Sequence, residues 1–202
     1  MTSAHAEWGS AAAAREGEHV SGDRQVVIET PRGLLIAVVD GVGHGPDAAA
    51  AADAAITSIS RYADRSPVEV LERCHEEIGQ TRGAVALIAS FDSTSSQLTW
   101  AGVGLIRGVL IRVRPDSRPR RELLLTRPGV IGRALIPLSD SRLEIESGDT
   151  LVIASDGVHG AFVENAKPSD RPARIAEQIL AAHRSFADDA MVLVVRFIVS
   201  RP

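Results

Sequence analysis

Leu34-Leu35-Ile36-Ala37-Val38-Val39-Asp40-Gly41 and Leu151-Val152-Ile153-Ala154-Ser155-Asp156-Gly157 are built alike: an unbroken apolar run that ends in Asp-Gly. Strict alternation would mark a strand with one wet face, whereas a continuous run of this length predicts a strand covered on both faces. An aspartate at the end of such a strand is partly desolvated and needs a cation or hydrogen-bond donors. The glycine after it permits an unusual turn and close approach of a backbone carbonyl to a ligand.

Further strands surround these two. Gln25 to Thr30 and Gly33 to Val39 flank Pro31-Arg32 as a hairpin, and Ala84 to Phe91 and Gln97 to Val103 flank the polar turn Asp92 to Ser96. Leu105 to Val113, Glu122 to Thr126, Ser141 to Glu146 and Met191 to Val199 complete the set. Short strands joined by polar turns favour antiparallel pairing. Three helices are expected. One runs from Pro46 to Ala63 with Ala49, Ala52, Ile56 and Ile59 at helical spacing; another follows Ser66 as N-cap, with Pro67 first and Glu69 completing a capping box; the last spans about Arg171 to Ser185. The alanine-rich patches Ala11 to Ala14 and Ala48 to Ala52 suit tight packing or helix. The fold class is α+β, with antiparallel sheets and helices packed outside them, in a single domain over residues 1–202.

Composition narrows the chemistry. The chain has 202 residues, 45% hydrophobic and 24% charged, with a net charge of −4. That balance excludes a disordered chain and argues against nucleic-acid binding, which needs a basic footprint. Lys167 is the only lysine and lies in Ala-Lys-Pro, so no phosphate-cradling Gly-Lys-Ser/Thr loop exists. Cys74 is the only cysteine, which rules out an internal disulfide and a thiolate zinc site. No apolar run approaches the ~20 residues of a membrane span, and His5, Glu7 and Trp8 stand where a secretory signal would be basic then apolar. A cytoplasmic protein without membrane attachment is expected. The arginine-rich stretch Arg114 to Arg121, interrupted by Pro115 and Pro119, reads as a solvated hairpin tip.

Asp188-Asp189 has the opposite polarity to the two Asp-Gly pairs, because it immediately precedes the strand Met191 to Phe197. If that strand runs antiparallel to the other two, all three acidic sites gather at one edge, and Asp23 can join them from a neighbouring strand. Several carboxylates without a thiolate suit a hard cation, Mg²⁺ or Mn²⁺, and two such ions held close can activate a water toward phosphorus. Other motifs fail. Gly41-Val42-Gly43-His44-Gly45-Pro46 places proline at the third dinucleotide-fingerprint position, Val38 stands where an Asp-x-Asp nucleophile would be, and no Gly-x-Ser-x-Gly elbow occurs. His44 and His159 follow their aspartates in glycine-rich turns, where either can face water, bind a phosphate or protonate a leaving alkoxide. Arg24 reads as an ion-pair partner or a phosphate clamp.

In their order, Val20-Ser21-Gly22-Asp23, Val39-Asp40-Gly41-Val42-Gly43-His44-Gly45, Ser155-Asp156-Gly157-Val158 and Asp188-Asp189-Ala190-Met191-Val192-Leu193-Val194 resemble the metal-dependent serine/threonine protein phosphatases of the PPM family. Within them the match is to the bacterial SpoIIE-type branch. Thr81-Arg82-Gly83-Ala84, Trp100-Ala101-Gly102-Val103-Gly104 and Pro128-Gly129-Val130-Ile131-Gly132 add a finer similarity to the RsbX-like phosphatases that act on stressosome proteins. The resemblance implies an αββα sandwich of two antiparallel β-sheets flanked by helices. It implies that Asp40 bridges two Mn²⁺ or Mg²⁺ ions, that the Gly41 carbonyl binds one, and that Asp156 and Asp188 complete the other ion's protein ligands. Asp23 matches an acidic position near the second ion, and Asp189 a polar neighbour rather than a main ligand.

Two positions depart from that family's pattern: Met191 replaces a threonine and Leu105 stands where related enzymes carry asparagine. The function implied is removal of phosphate from serine or threonine of a phosphorylated STAS-domain partner, a stressosome or anti-sigma-antagonist protein, by attack of a metal-activated water. The alternative is a catalytically inactive regulator of the same fold that binds a phosphoprotein or kinase. Clustered carboxylates favour catalysis, because their mutual repulsion is costly without cations.

Overall fold

The computed structural model describes residues 1, 3–164 and 166–199. Along the chain come β1 (Ala6–Ala13), β2 (Asp23–Thr30), β3 (Gly33–Gly41), α1 (Gly45–Arg61), α2 (Pro67–Glu77), β4 (Ala84–Asp92), β5 (Gln97–Val103) and β6 (Arg107–Ile111). After them follow β7 (Arg121–Leu124), β8 (Gly129–Val130), β9 (Ala134–Leu135), β10 (Ser141–Glu144), β11 (Thr150–Ala154), α3 (Pro172–His183) and β12 (Ala190–Phe197). Two five-stranded sheets result, ordered β1-β12-β11-β6-β7 and β10-β5-β4-β3-β2, with β8 and β9 as a separate ribbon. Every neighbouring pair is antiparallel.

The continuous apolar runs are explained by three stacked cores. In β3, Leu34, Ile36 and Val38 point into the space between the sheets, while Leu35, Ala37 and Val39 pack under α1 and α2. In β12, Leu193, Val195 and Phe197 join the inner core, and Ala190, Val192 and Val194 lie under α3. Side chains alternate faces along a strand, so a strand needs apolar residues at every position only when both faces are covered. Each fully buried aliphatic side chain contributes about 1.5–3 kcal/mol. Phe91 of β4 meets Phe197 of β12 across the gap with ring centroids 4.9 Å apart. The αββα sandwich is therefore present, two helices on one side and one on the other.

The capping box of α2 forms as expected: Ser66 Oγ accepts from Glu69 N at 3.3 Å, and Ser66 N donates to Glu69 Oε2 at 3.1 Å. In α1 the buried face is mostly alanine, with Ala48, Ala49, Ala51, Ala52, Ala55 and Ile59 inward and Ile56 only half-buried. Small side chains let this helix lie very close to the sheet. The first alanine-rich patch departs from a helical reading, since Ala11 to Ala13 end β1, an edge strand paired with β12. Tight packing does hold there: a Cβ on Gly9 would come within 2.5 Å of Ala173 Cα in α3. Among the described residues no helix is long and apolar enough to cross a membrane.

Candidate metal centre

Two registers set the geometry. In one sheet Asp23, the first residue of β2, is the direct cross-strand partner of Asp40 near the end of β3. In the other, Ala154 of β11 pairs with Val192 of β12, so Asp156 just beyond one strand and Asp188-Asp189 just before the other meet at the same end. Both ends open onto a cleft of about 700 Å³ whose lining includes Asp40, Asp156, Asp188, His44, Arg15 and Leu105. The structure thus brings together Asp40, Asp156, Asp188 and His44 around one cleft. Asp23 is buried beside Asp40, and Gly41 follows as the last residue of β3.

The Asp-Gly pairs have a packing reason. A Cβ on Gly41 would sit 2.0 Å from the Ala48 carbonyl oxygen of α1, and one on Gly157 would sit 1.9 Å from the Asp189 carbonyl oxygen. In both cases the close approach is made by the protein's own backbone: it seats the end of β3 against α1 and brings the Asp156 turn against the Asp188-Asp189 segment.

Burial and like charge raise these acids. Asp40 is pushed up to about 9, first by burial and then by the carboxylates of Asp23, Asp156, Asp188 and Asp189. Asp23 is pushed up to about 7, mainly by burial; the Ser155 hydroxyl opposes the rise, and the neighbouring carboxylates add to it. Burial, then the Asp188 charge, also raises Asp156. Ser155 Oγ donates to Asp23 Oδ2 at 2.8 Å and accepts from Met191 N at 2.9 Å, which ties the two sheets together at the site. The other oxygen of Asp23, Oδ1, is buried without a hydrogen-bond partner.

This donor set fits a hard divalent cation. It consists of carboxylate oxygens, one of them unpartnered, in a cluster whose full ionisation is opposed by its own repulsion. Among the described residues no three Asp, Glu, His or Cys side chains close on a single point. Backbone carbonyl and water oxygens would complete a coordination shell there, as hard divalent cations accept.

The remaining candidates separate clearly. Asp189 is spoken for: its Oδ1 accepts from Arg15 N at 2.8 Å and its Oδ2 from Gly22 N at 2.7 Å, so it anchors the segment leading into β2. Arg24 makes a two-point pair with Asp53 of α1 and donates to the carbonyls of Ser21 and Asp23; it is an ion-pair partner, not a clamp. His159 is exposed and absent from the cleft lining. His44 lies 2.8 Å through Nδ1 from Glu18 Oε1. Sequence reasoning missed Glu18, Ser155 and the cleft arginines Arg15 and Arg127. Ser155 was legible only as the last residue before Asp156, and nothing local marks Glu18.

Phosphoserine phosphatase RsbX of Bacillus subtilis (strain 168) is 30% identical over 96 residues, 48% of this chain and 48% of that protein, so the match spans about half the length of this curated relative. A chain from the structure described as the bacterial stressosome, a modular system adapted to control secondary messenger signaling, superposes with a TM-score of 0.85 at 29% identity, over 95% of this chain and 99% of that one. The crystal structure of RsbX in complex with magnesium shares the fold at a TM-score of 0.85, with 21% identity over 98% of both chains. The family model for Stage II sporulation protein E (SpoIIE) matches residues 30–198, a span that takes in Asp40, Asp156 and Asp188. With the sandwich, the cleft and the acidic strand ends all in place, the chain belongs to the SpoIIE family.

Proposed function

We propose that residues 1–202 form one divalent-metal-dependent protein serine/threonine phosphatase domain. The observation that carries the reading is the convergence of Asp40, Asp156 and Asp188 from two sheets on one cleft, with Asp23 buried beside them. Asp40, Asp156, Asp188 and the Gly41 carbonyl are the groups that would hold two Mg²⁺ or Mn²⁺ ions, with Asp23 acting from behind Asp40. Bound there, such ions supply Lewis acidity, acidifying water and neutralising phosphoryl oxygens. Burial keeps these carboxylates in a low-dielectric setting that strengthens their hold on positive charge. Ser155 fixes the Asp23 rotamer, and Asp189 fixes the backbone that presents Asp23. His44 is the proton donor to the departing serine or threonine alkoxide; Glu18 holds its Nδ1 and leaves Nε2 available to the cleft.

The likeness to RsbX and to the stressosome-associated structure supports a phosphorylated STAS-domain stress-signalling protein as the partner. The test is hydrolysis of p-nitrophenyl phosphate and of a serine-phosphorylated STAS-domain protein, with Mn²⁺ or Mg²⁺ and with EDTA. Turnover that needs the cation and falls by about a hundredfold or more in Asp40→Asn and Asp156→Asn is expected. Full activity in EDTA, or in both variants, refutes the assignment. Phosphoprotein binding without metal-dependent turnover favours the non-catalytic regulator instead.

A further inference from the structure

Building on the phosphatase reading, we propose that an apolar strip running from the cleft mouth along β7 is the docking surface for the phosphoprotein. We infer that it selects phosphoserine or phosphothreonine segments flanked by leucine-like and acidic residues. Leu105, Leu123 and Leu125 are 71%, 66% and 74% exposed. The chain path and two hydrogen bonds bring them to the same rim. β7 is the outermost strand of its sheet; its last residue Leu124 enters the inner core, Leu123 before it turns the other way, and Leu125 follows directly after the strand. Leu123 stands directly opposite Val109, which is buried, so an apolar sheet face continues past its cover into solvent. Thr126 Oγ1 donates to the Gly104 carbonyl at 2.6 Å and Gly104 N donates to the Arg127 carbonyl at 2.8 Å, which sets Leu105 beside the 125–127 segment.

The strip is continuous with the site. A second cavity of about 280 Å³, lined in part by Leu125 and Leu138, shares Thr126 and Arg127 with the catalytic cleft. Large exposed apolar side chains gathered on one strip mark an interaction surface rather than ordinary solvent-facing positions. The charge on the same rim gives the partner its sign. Arg15 and Arg127 both line the cleft, and neither guanidinium has a carboxylate partner among the described residues. On a chain of net charge −4, two unpaired guanidiniums above an acidic cleft complement acidic side chains next to the phosphate.

The test uses two synthetic phosphoserine peptides, one flanked by leucine and aspartate and the other by serine and lysine, with p-nitrophenyl phosphate as a probe that cannot reach the strip. The wild type is expected to show kcat/KM about tenfold higher for the leucine–aspartate peptide. The double variant Leu123→Ser, Leu125→Ser should lose about tenfold on that peptide while hydrolysing p-nitrophenyl phosphate normally. Arg127→Glu should shrink or invert the preference between the two peptides, whatever its absolute rate. Equal kcat/KM for both peptides, or wild-type preference in both variants, overturns the docking surface. Wild-type protein that hydrolyses nothing defeats the phosphatase reading instead, and fluorescence anisotropy of the labelled leucine–aspartate peptide then reads docking directly, with absence of binding overturning it. A dimer in light scattering that the double variant dissolves also overturns it, because the strip would then join two copies of the chain.

Discussion

Replacing Asp40 with asparagine should stabilise the metal-free protein, and by an amount that grows with pH. The folded-state carboxyl of Asp40 is held at about 9, far above its ordinary 3.8, by burial and by Asp23, Asp156, Asp188 and Asp189. A carboxyl raised on folding stabilises the native state fully below its unfolded value, and that contribution is lost as pH rises toward the folded value. Each pH unit inside the window costs the wild type about 1.4 kcal/mol for one proton. Between about pH 5 and about pH 8 the stability gap between Asp40→Asn and wild type should widen by about 2–4 kcal/mol, allowing for relaxation of the cleft. For a chain of this size that is an increase of about 5–15 °C in the Tm difference. Thermal unfolding in EDTA across that range measures it, with the cost of the amide itself cancelling because it does not titrate. Adding millimolar Mg²⁺ should raise the wild-type Tm and leave the variant nearly unmoved. A gap that stays constant with pH, or equal stabilisation of both proteins by Mg²⁺, refutes the electrostatic account of the cluster.

Glu18→Gln should leave the fold and metal-dependent stabilisation intact but lower kcat for a poor leaving group such as phosphoserine by about tenfold, with far less effect on p-nitrophenyl phosphate; equal losses on both substrates would remove Glu18 from leaving-group protonation. Asp149→Ala should destabilise the protein by about 3 kcal/mol in urea unfolding, because buried Asp149 accepts from Val113 N and Glu146 N, which it leaves unpaired, and is one of the two carboxylates of Arg112, which keeps Glu122 and the Glu144 carbonyl. Cys74, on the buried face of α2 with its thiol pushed up to about 12 by burial, should resist iodoacetamide at about pH 8 in the native state and react at once in denaturant. Rapid native labelling would show that α2 is not packed as described.

Much of the architecture could be read along the chain because its decisive signals are local. The apolar runs of β3 and β11 announce double-sided burial, and the Ser66–Glu69 spacing announces its own cap. The acidic strand ends were legible for the same reason: the direction of each run tells which end its aspartates occupy, and antiparallel pairing does the rest. β1 was harder. Alanine has low strand propensity, and Ala11 to Ala13 become a strand only because β12 lies beside them and α3 presses on Gly9. The contacts of Asp189 with Arg15 N and Gly22 N, or of Glu18 with His44, join residues far apart in sequence through loop paths that no periodicity encodes. Likewise Gly41 and Gly157 advertise a tight approach without saying what approaches.

The position of β1 has a consequence for biosynthesis. Among the described residues its one strand neighbour is β12, with Ala6 opposite Phe197, so a ribosome must make nearly the whole stretch between them before the first strand has this partner to pair with. Until then a nascent chain carries an unmated edge, and Asp40 waits for Asp156 and Asp188. Early release or cleavage ahead of residue 188 would therefore yield a polypeptide that is both adhesive and inert, a natural client for chaperones.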